Sequence, residues 1–161
     1  MNPAAPRPSL HVRVLGPDDH ACLREMLSMF GKAFDDLPTY TAQQPDDAYL
    51  RSLLASRNFV CVAALSGERV VGGIAAYVLP KFEQARAEMY LYDLAVDERH
   101  RRQGIATAMI AALQAYAAEH GIYVMFVQAD HGDDAAIALY SKLGTREDVL
   151  HFDIPPARKA G

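Results

Sequence analysis

Hydrophobic residues recur along the chain with two periods, which separate predicted strands from predicted helices. Alternating or continuously apolar runs predict six strands, at residues 11–15, 59–65, 69–79, 88–96, 123–128 and 145–152. Helical spacing of apolar residues, together with end signals, predicts four helices, at residues 16–30, 46–56, 104–120 and 133–143. The segment Ser66–Glu68 predicts a hairpin between the second and third strands, and Gly121 and Gly144 end the last two helices.

This order of elements predicts an α/β fold in a single domain. Three consecutive strands followed by alternating helices and strands imply a mixed central sheet with helices on both faces and parallel pairing in the second half. The continuously apolar strand at 123–128 is expected to be covered on both faces, and Asp133 or Asp134 is expected to cap the last helix. The domain is predicted to span 11–154, between flexible tails at 1–10 and 155–161.

Composition narrows the class of protein. The chain has 161 residues, 51% of them hydrophobic, which is enough for a substantial core. No apolar run approaches the ~20 residues of a membrane helix and no signal peptide is recognisable, so a cytoplasmic location is expected. Cys22 and Cys61 lack metal-ligand spacing and are expected to be buried thiols, and no metal is expected. The net charge of −4 argues against a nucleic-acid binder. No membrane partner is expected.

An arginine-rich turn stands between the strand at 88–96 and the following helix. Arg99–Arg102 contains three arginines and no acid, and Gly104 follows at the start of the helix. The first amides of a helix have no intrahelical partner, and the helix dipole adds positive character there. The turn is therefore suited to bind a pyrophosphate.

The segment Arg101–Ala106 resembles the acetyl-CoA signature of the GNAT superfamily of N-acetyltransferases, namely Arg or Gln, two residues, Gly, one residue, then Gly or Ala. Further along, Asp133, Ala136, Tyr140 and Gly144 resemble a second family segment, with Asp133 where an asparagine is usual. The resemblance implies a mostly antiparallel sheet whose parallel pair splays apart at an acetyl-CoA site. It also implies cofactor contacts from Leu94, Ala95, Val96, Arg101, Arg102, Gln103, Gly104, Ile105, Ala106, Thr107, Asp133, Ala136 and Tyr140.

Longer segments resemble one branch of that superfamily, the aminoglycoside 3-N-acetyltransferases. These segments are Tyr77–Arg86, Tyr92–Val96, Gln128–Asp130 and His151–Ile154. Membership of this branch implies acetyl transfer from acetyl-CoA to the 3-amino group of a deoxystreptamine antibiotic such as gentamicin, with drug resistance as the phenotype. Relatives in the branch also suggest a homodimer.

The charges in the second half of the chain fit a cationic acceptor. Six acids and two bases between Asp130 and Asp153 give this stretch a local charge of −4, which suits a polycationic aminoglycoside. Many of these acids are equally explained as helix caps and solvated loop residues. Candidate acceptor contacts are Asp93, Asp130, His151, Asp153, Glu83, Asp35 and Asp36, with Tyr40, Tyr49, Tyr77 and Phe82 as candidate walls of a sugar site.

Two side chains are assigned catalytic roles. Asp93 lies in an apolar strand, where a lone carboxylate is costly unless it faces a polar site. The matching position of the family lies near the reactive amine, so the resemblance implies that Asp93 orients the reacting ammonium and accepts its proton, directly or through water. His151 or Asp153 is an alternative base. Tyr140 matches the family tyrosine that protonates the departing thiolate.

Three alternatives are weighed against this function. A different small polyamine is an alternative acceptor that fits the acidic second half about equally well. A catalytically silent acetyl-CoA sensor is the non-enzymatic alternative, and the retention of Asp93 and Tyr140 speaks against it. A Rossmann nucleotide-binding fold is excluded because its second glycine pattern and leading strand are absent.

Overall fold

The computed structural model describes residues 9–158, and the chain divides into two compact units at Gln128. The described part of the first unit holds five strands and four helices. The strands are β1 Leu10–Val14, β2 Phe59–Ser66, β3 Arg69–Pro80, β4 Ala87–Val96 and β5 Ile122–Val127. The helices are α1 His20–Ala33, α2 Leu37–Thr41, α3 Asp47–Ala55, α4 Ile105–Glu119 and, in the second unit, α5 Asp134–Ser141, with short 3-10 turns at Pro17–Asp19 and Glu98–His100.

The five strands form one mixed sheet in the order β1-β2-β3-β4-β5. Neighbouring strands are antiparallel except for β4 and β5, which are parallel. The parallel pair is the one whose strands are joined through a helix, α4, as a parallel connection requires. The predicted mixed sheet and the parallel pairing in the second half of the chain are confirmed.

Helices cover both faces of the sheet, as predicted, and two adjacent glycines in β3 allow this packing. A Cβ atom added to Gly72 would lie 3.1 Å from Ile105 and Met109 of α4. A Cβ atom added to Gly73 would lie 2.5 Å from Cγ of Met26, on α1. Because successive residues of a strand face opposite sides, α4 packs on one face and α1 on the other.

Gly73→Ala is expected to lower the free energy of unfolding by about 1–3 kcal/mol, because it overpacks a filled core. Met26, the side chain that it would meet, is 0% exposed. Urea unfolding measures the effect. The cost should shrink in a Met26→Ala background, where the space is vacated, and an equal cost in both backgrounds would show that this contact is not the cause.

A β-bulge interrupts β4 at Tyr92. In the pairing with β3, Asp93 is opposite Ala75 and Leu91 is opposite Ala76, so Tyr92 is the additional residue. Such an insertion reverses the alternation of side chains beyond it. Leu91 therefore faces α4, whereas Asp93 and Ala95 face α1.

Several local predictions are confirmed and three are wrong. The helix predicted at 46–56 is α3, which Asp46 caps by accepting from the amide of Tyr49 at 2.8 Å. Asp133, one of the two predicted caps, caps α5. The strand predicted at 145–152 is absent from the described residues: this segment is exposed and has no partner strand for its backbone groups. The prediction that β5 is covered on both faces is also wrong, because β5 lies at the sheet edge with Tyr123, Val124 and Phe126 39–47% exposed.

The ends of the chain complete this comparison. Leu10, predicted in the flexible tail, begins β1, which is the third wrong prediction. Residues 1–8 of the first predicted tail, and residues 159–161 of the second at 155–161, lie outside the described residues. Cys22 and Cys61 are free thiols, half-buried and buried. Among the described residues no helix is long and apolar enough to span a membrane.

Candidate active site

The turn before α4 exposes unpaired backbone amides. Gly104 caps the helix in the left-handed region with φ 78°, and Arg102 is also left-handed with φ 59°. The first helical hydrogen bond runs from the amide of Ala108 to the carbonyl of Gly104, at 3.0 Å. The amides of residues 105–107 therefore have no intrahelical partner. A Cβ atom at Gly104 would meet nothing within 4 Å, so the approach to these amides is open.

Next to this turn, β4 extends beyond its partner β5. The last register pair between them is Leu91 with Val127. On the β3 side, the amide of Asp97 donates to the carbonyl of Val71, and backbone groups alternate along a strand. The main-chain groups of Leu94 and Val96 therefore point away from β3, into the gap where β5 no longer pairs. Arg101 Nε donates to the Val96 carbonyl there, at 3.2 Å.

A cavity of about 150 Å³ opens between the sheet and the first three helices. Its wall is mostly aromatic and aliphatic, and Asp93 is its acidic residue. The lining residues include Met26, Phe30, Tyr40, Tyr49, Leu50, Phe59, Ala75, Tyr77 and Asp93. Three of the four predicted sugar-site aromatics, Tyr40, Tyr49 and Tyr77, line this cavity. The fourth, Phe82, is fully exposed on the loop between β3 and β4 and does not.

Asp93 is half-buried at this wall and is hydrogen-bonded by one phenol. Tyr40 donates its hydroxyl to Oδ2 of Asp93 at 3.2 Å. Burial raises the pKa of Asp93 above its usual range, and the hydrogen bond from Tyr40 opposes part of that rise. A carboxylate with a raised pKa is a better proton acceptor than an ordinary surface aspartate. Burial and the charge of Asp93 raise the pKa of Tyr40, so that the phenol stays a donor.

Tyr40→Phe is expected to move the acidic limb of the kcat/KM–pH profile to higher pH. The variant removes the hydrogen bond that lowers the pKa of Asp93, while burial, which raises it, remains. Initial rates across the pH range measure the shift. Tyr49→Phe is the matched control, because it removes another hydroxyl of the same cavity. An unmoved limb in Tyr40→Phe would separate this phenol from the ionisation that limits the rate.

The other predicted acceptor residues of the first unit are Asp35, Asp36 and Glu83, of which Asp36 and Glu83 have local partners. Asp36 caps α2, its Oδ1 accepting from the amide of Thr39 at 3.3 Å. Asp35 is exposed with φ 53°. Glu83 lies on the loop between β3 and β4 and pairs with Arg86 at 3.5 Å. The lining residues of the cavity do not include these three acids.

The second unit holds the remaining predicted residues. Asp133 accepts from the amide of Ala136 at 3.1 Å, a capping role that an asparagine also fills. Burial and the nearby charge of Asp133 raise the pKa of Tyr140, on α5. His151 Nε2 lies 3.1 Å from Asp153 Oδ1. The prediction that they share one face of a strand is wrong, because both lie in an exposed irregular segment. Asp130 is exposed.

Sequence reasoning missed α2, the helix that carries Tyr40 to Asp93. The signal was present, because Asp36 is followed by Leu37 and Pro38, and a capping residue before proline is typical of a helix start. Within residues 9–158, no group of three or more His, Cys, Asp or Glu side chains is arranged to hold a metal ion. The open turn, its unpaired amides and its arginines fit the phosphates of acetyl-CoA.

Comparisons with known proteins agree with this geometry. The model of the acetyltransferase (GNAT) family matches residues 23–145. The aminoglycoside acetyltransferase HMB0005, from an uncultured soil metagenomic sample, is 54% identical with a TM-score of 0.90, over 92% of this chain and 99% of that one. The aminoglycoside acetyltransferase meta-AAC0020, also from an uncultured soil metagenomic sample and solved in complex with sisomicin, is 31% identical with a TM-score of 0.83, over 92% of this chain and 97% of that one.

A more distant group of relatives comes from mammals. N-acetyltransferase 8B of Rattus norvegicus is 29% identical over 63% of this chain and 46% of its own length. The chain thus spans about half the length of the curated relatives that it matches. The family match covers well over half of the chain, and the enzymes of that family use acetyl-CoA. This protein belongs to the GNAT family of acetyltransferases.

Proposed function

We propose that this protein transfers the acetyl group of acetyl-CoA to the 3-amino group of an aminoglycoside. The observation that carries the proposal is the half-buried carboxylate of Asp93 on the wall of an aromatic cavity. A cationic amine bound there would be both attracted and deprotonated by the same group. The 54% identity to an aminoglycoside acetyltransferase over nearly the full length supports this acceptor class.

The turn before α4 and the open edge of β4 would bind the cosubstrate. Acetyl-CoA supplies the thioester from which the acetyl group is transferred. Amides of residues 102–107 would hold its pyrophosphate, with arginine side chains adding charge. The main-chain groups of Leu94 and Val96 would pair with the pantetheine amides and orient the thioester oxygen.

Proton transfer would be divided between two residues. The acceptor nitrogen forms the new amide bond as the C–S bond of the thioester breaks. Asp93 accepts the proton that leaves this nitrogen, directly or through water. Tyr140, a phenol that is protonated at neutral pH, supplies the proton that the thiolate takes up.

Tyr140→Phe is expected to lower kcat by roughly 100-fold or more, because it removes the acid for the leaving thiolate. The KM for acetyl-CoA should change little, since the ring and its packing remain. Steady-state kinetics measures both constants. Tyr116→Phe, on α4, is the matched control. A Tyr140→Phe enzyme with wild-type kcat would remove this phenol from the mechanism.

CoA release with several amines tests the proposed function. With gentamicin, sisomicin or kanamycin as the acceptor, the enzyme should release CoA from acetyl-CoA. NMR of the product should place the acetyl group on the 3-amine. Spermidine is the comparison for a general polyamine enzyme. Acetylation at another position would overturn the 3-amino assignment, and acetyl-CoA binding without CoA release on any amine would favour the sensor. Light scattering tests the homodimer that is part of this proposal.

A further inference from the structure

Aromatic side chains form a continuous row across four strands of the sheet. Register pairs join Phe59 to Tyr77 and Tyr77 to Tyr90, and Tyr90 to Phe126. Ring centroids are 5.5 Å apart in the first of these pairs and 4.9 Å apart, with parallel rings, in the last. Tyr92, at the bulge, lies 5.6 Å from Tyr77 and 5.3 Å from Tyr90. We call these five side chains the aromatic row.

The aromatic row leads from the cavity to the surface. Phe59 and Tyr77 line the cavity together with Asp93. Phe59 is only 7% exposed, whereas Tyr77 is 39%, Phe126 39% and Tyr92 58% exposed. The row therefore begins in the core and ends as an aromatic surface next to the carboxylate. Packing of the core does not require its exposed part.

The size of the cavity indicates that an aminoglycoside extends beyond it. Its volume is about 150 Å³, whereas sites for drug-sized ligands typically measure about 300–1,000 Å³. A molecule of three rings cannot fit inside when one of its amines reaches Asp93. The surface that continues outward from Tyr77 is the aromatic row.

The chemistry of the row suits an amino sugar. Aromatic faces attract cations within about 6 Å of the ring centre, and their apolar surface packs against the C–H face of a sugar. Asp93 adds negative charge beside the row. After the larger effect of burial, this charge contributes to raising the pKa of Tyr77 and of Tyr90. Hydroxyl groups supply polar contacts at the edge, as in the bond from Tyr90 to Gln128 Oε1 at 2.9 Å.

We infer that the aromatic row binds an amino sugar attached to the deoxystreptamine ring, while Asp93 holds the reacting amine. This inference rests on the proposed function and extends it to the part of the acceptor outside the cavity. Tyr92 is its most exposed member. The row thereby favours acceptors with additional cationic rings over the central ring alone.

Tyr92→Leu tests the inference, because it keeps apolar bulk and removes the ring. The KM for sisomicin should rise about 3- to 30-fold, whereas the KM for 2-deoxystreptamine, which has no attached sugar, should be unchanged. Tyr92→Phe should restore the KM for sisomicin. Tyr123→Leu is the control at an exposed tyrosine of β5 outside the row, and it should leave both constants unchanged.

Three outcomes would overturn the inference: an unchanged KM for sisomicin in Tyr92→Leu, an equal rise for both acceptors, or no restoration by Tyr92→Phe. The same comparison by calorimetry uses Kd in place of KM. If the wild-type protein binds sisomicin without releasing CoA, the proposed function fails while the row is still tested. If the Kd for sisomicin does not change in the Tyr92 variants, the inference about the row fails, whereas the proposed function still stands on turnover.

Discussion

Asp93→Asn should reduce kcat/KM for an aminoglycoside by about 10²- to 10⁴-fold, the typical contribution of a positioned general base. The amide keeps the shape of the side chain and can still accept the hydrogen bond from Tyr40, so the cavity is preserved. The loss should be largest at low pH, where fewer acceptor amines are already deprotonated. Initial rates from pH 6 to 9 measure it. Wild-type rates across this range would remove Asp93 from the role of base.

The same variant is expected to raise the melting temperature at neutral pH. Burial raises the pKa of Asp93 in the folded state, so the folded protein favours the neutral form. The stability associated with this group is complete below its unfolded pKa and is lost as the pH rises through the folded pKa. Asparagine avoids that loss. Each kcal/mol gained corresponds to about 2–4 °C for a chain of this size.

Asp19→Asn is the control with the opposite sign. Two hydrogen bonds from Arg13, at 2.7 and 2.8 Å, lower the pKa of Asp19. Its stabilising effect is present above the unfolded pKa and is lost as the pH falls through the folded pKa. Thermal unfolding at pH 7 and near pH 4 should therefore separate the variants, with Asp93→Asn more stable than wild type at pH 7 and Asp19→Asn less stable. A lower melting temperature for Asp93→Asn would contradict the burial argument.

Gly104→Val is expected to raise the KM for acetyl-CoA about 10- to 100-fold. Its side chain would occupy the open space in front of the amides, and the loss of one charge-assisted hydrogen bond to a phosphate costs about 1.5–3 kcal/mol. A β-branched residue at φ 78° also strains the backbone. The variant should therefore lose stability as well as cofactor affinity. Kinetics at varied acetyl-CoA and thermal unfolding measure the two effects.

Gly121 offers a matched control for that strain. It lies after the other end of α4 with φ 69°, and an added Cβ atom there would also meet nothing within 4 Å. Gly121→Val should lower the melting temperature by a similar amount and leave the KM for acetyl-CoA unchanged. Equal increases in KM for both variants would mean that helix stability, rather than access to the amides, controls cofactor binding.

The sequence predicted the helices and strands whose formation depends mainly on residues close together in the chain. The glycine at 104 and the arginines before it indicated a phosphate-binding helix start, and the structure places open amides there. Asp133, one of the two predicted caps, marks the start of α5, and the helix predicted from residue 46 is α3. The continuously apolar strands β2 and β3 were predicted to within one residue of their bounds.

Features that depend on neighbouring strands were not predictable in this way. The segment 145–152 has an apolar pattern, but a strand forms only where a partner completes its hydrogen bonds, and the described residues provide none. The prediction that β5 is covered on both faces was wrong for a related reason, since the order of the strands places β5 at an edge of the sheet. The bulge at Tyr92 leaves no mark in composition or periodicity. The cavity, in turn, depends on which face Asp93 occupies.

The inserted residue Tyr92 lies between two features of β4, the end of its pairing with β5 and the carboxylate of Asp93. Pairing between β4 and β5 ends at Leu91, and Asp93 follows the inserted residue, opposite Ala75 and on the α1 side. Deletion of Tyr92 would leave a regular ladder in which Leu91 and Asp93 keep the same partners on β3, so the carboxylate would stay on the α1 side. What the insertion adds is the side chain of Tyr92 itself, which is 58% exposed beside that carboxylate. A lineage that adapts to a new acceptor can therefore change this residue and its aromatic neighbours while Asp93 keeps its place in the sheet.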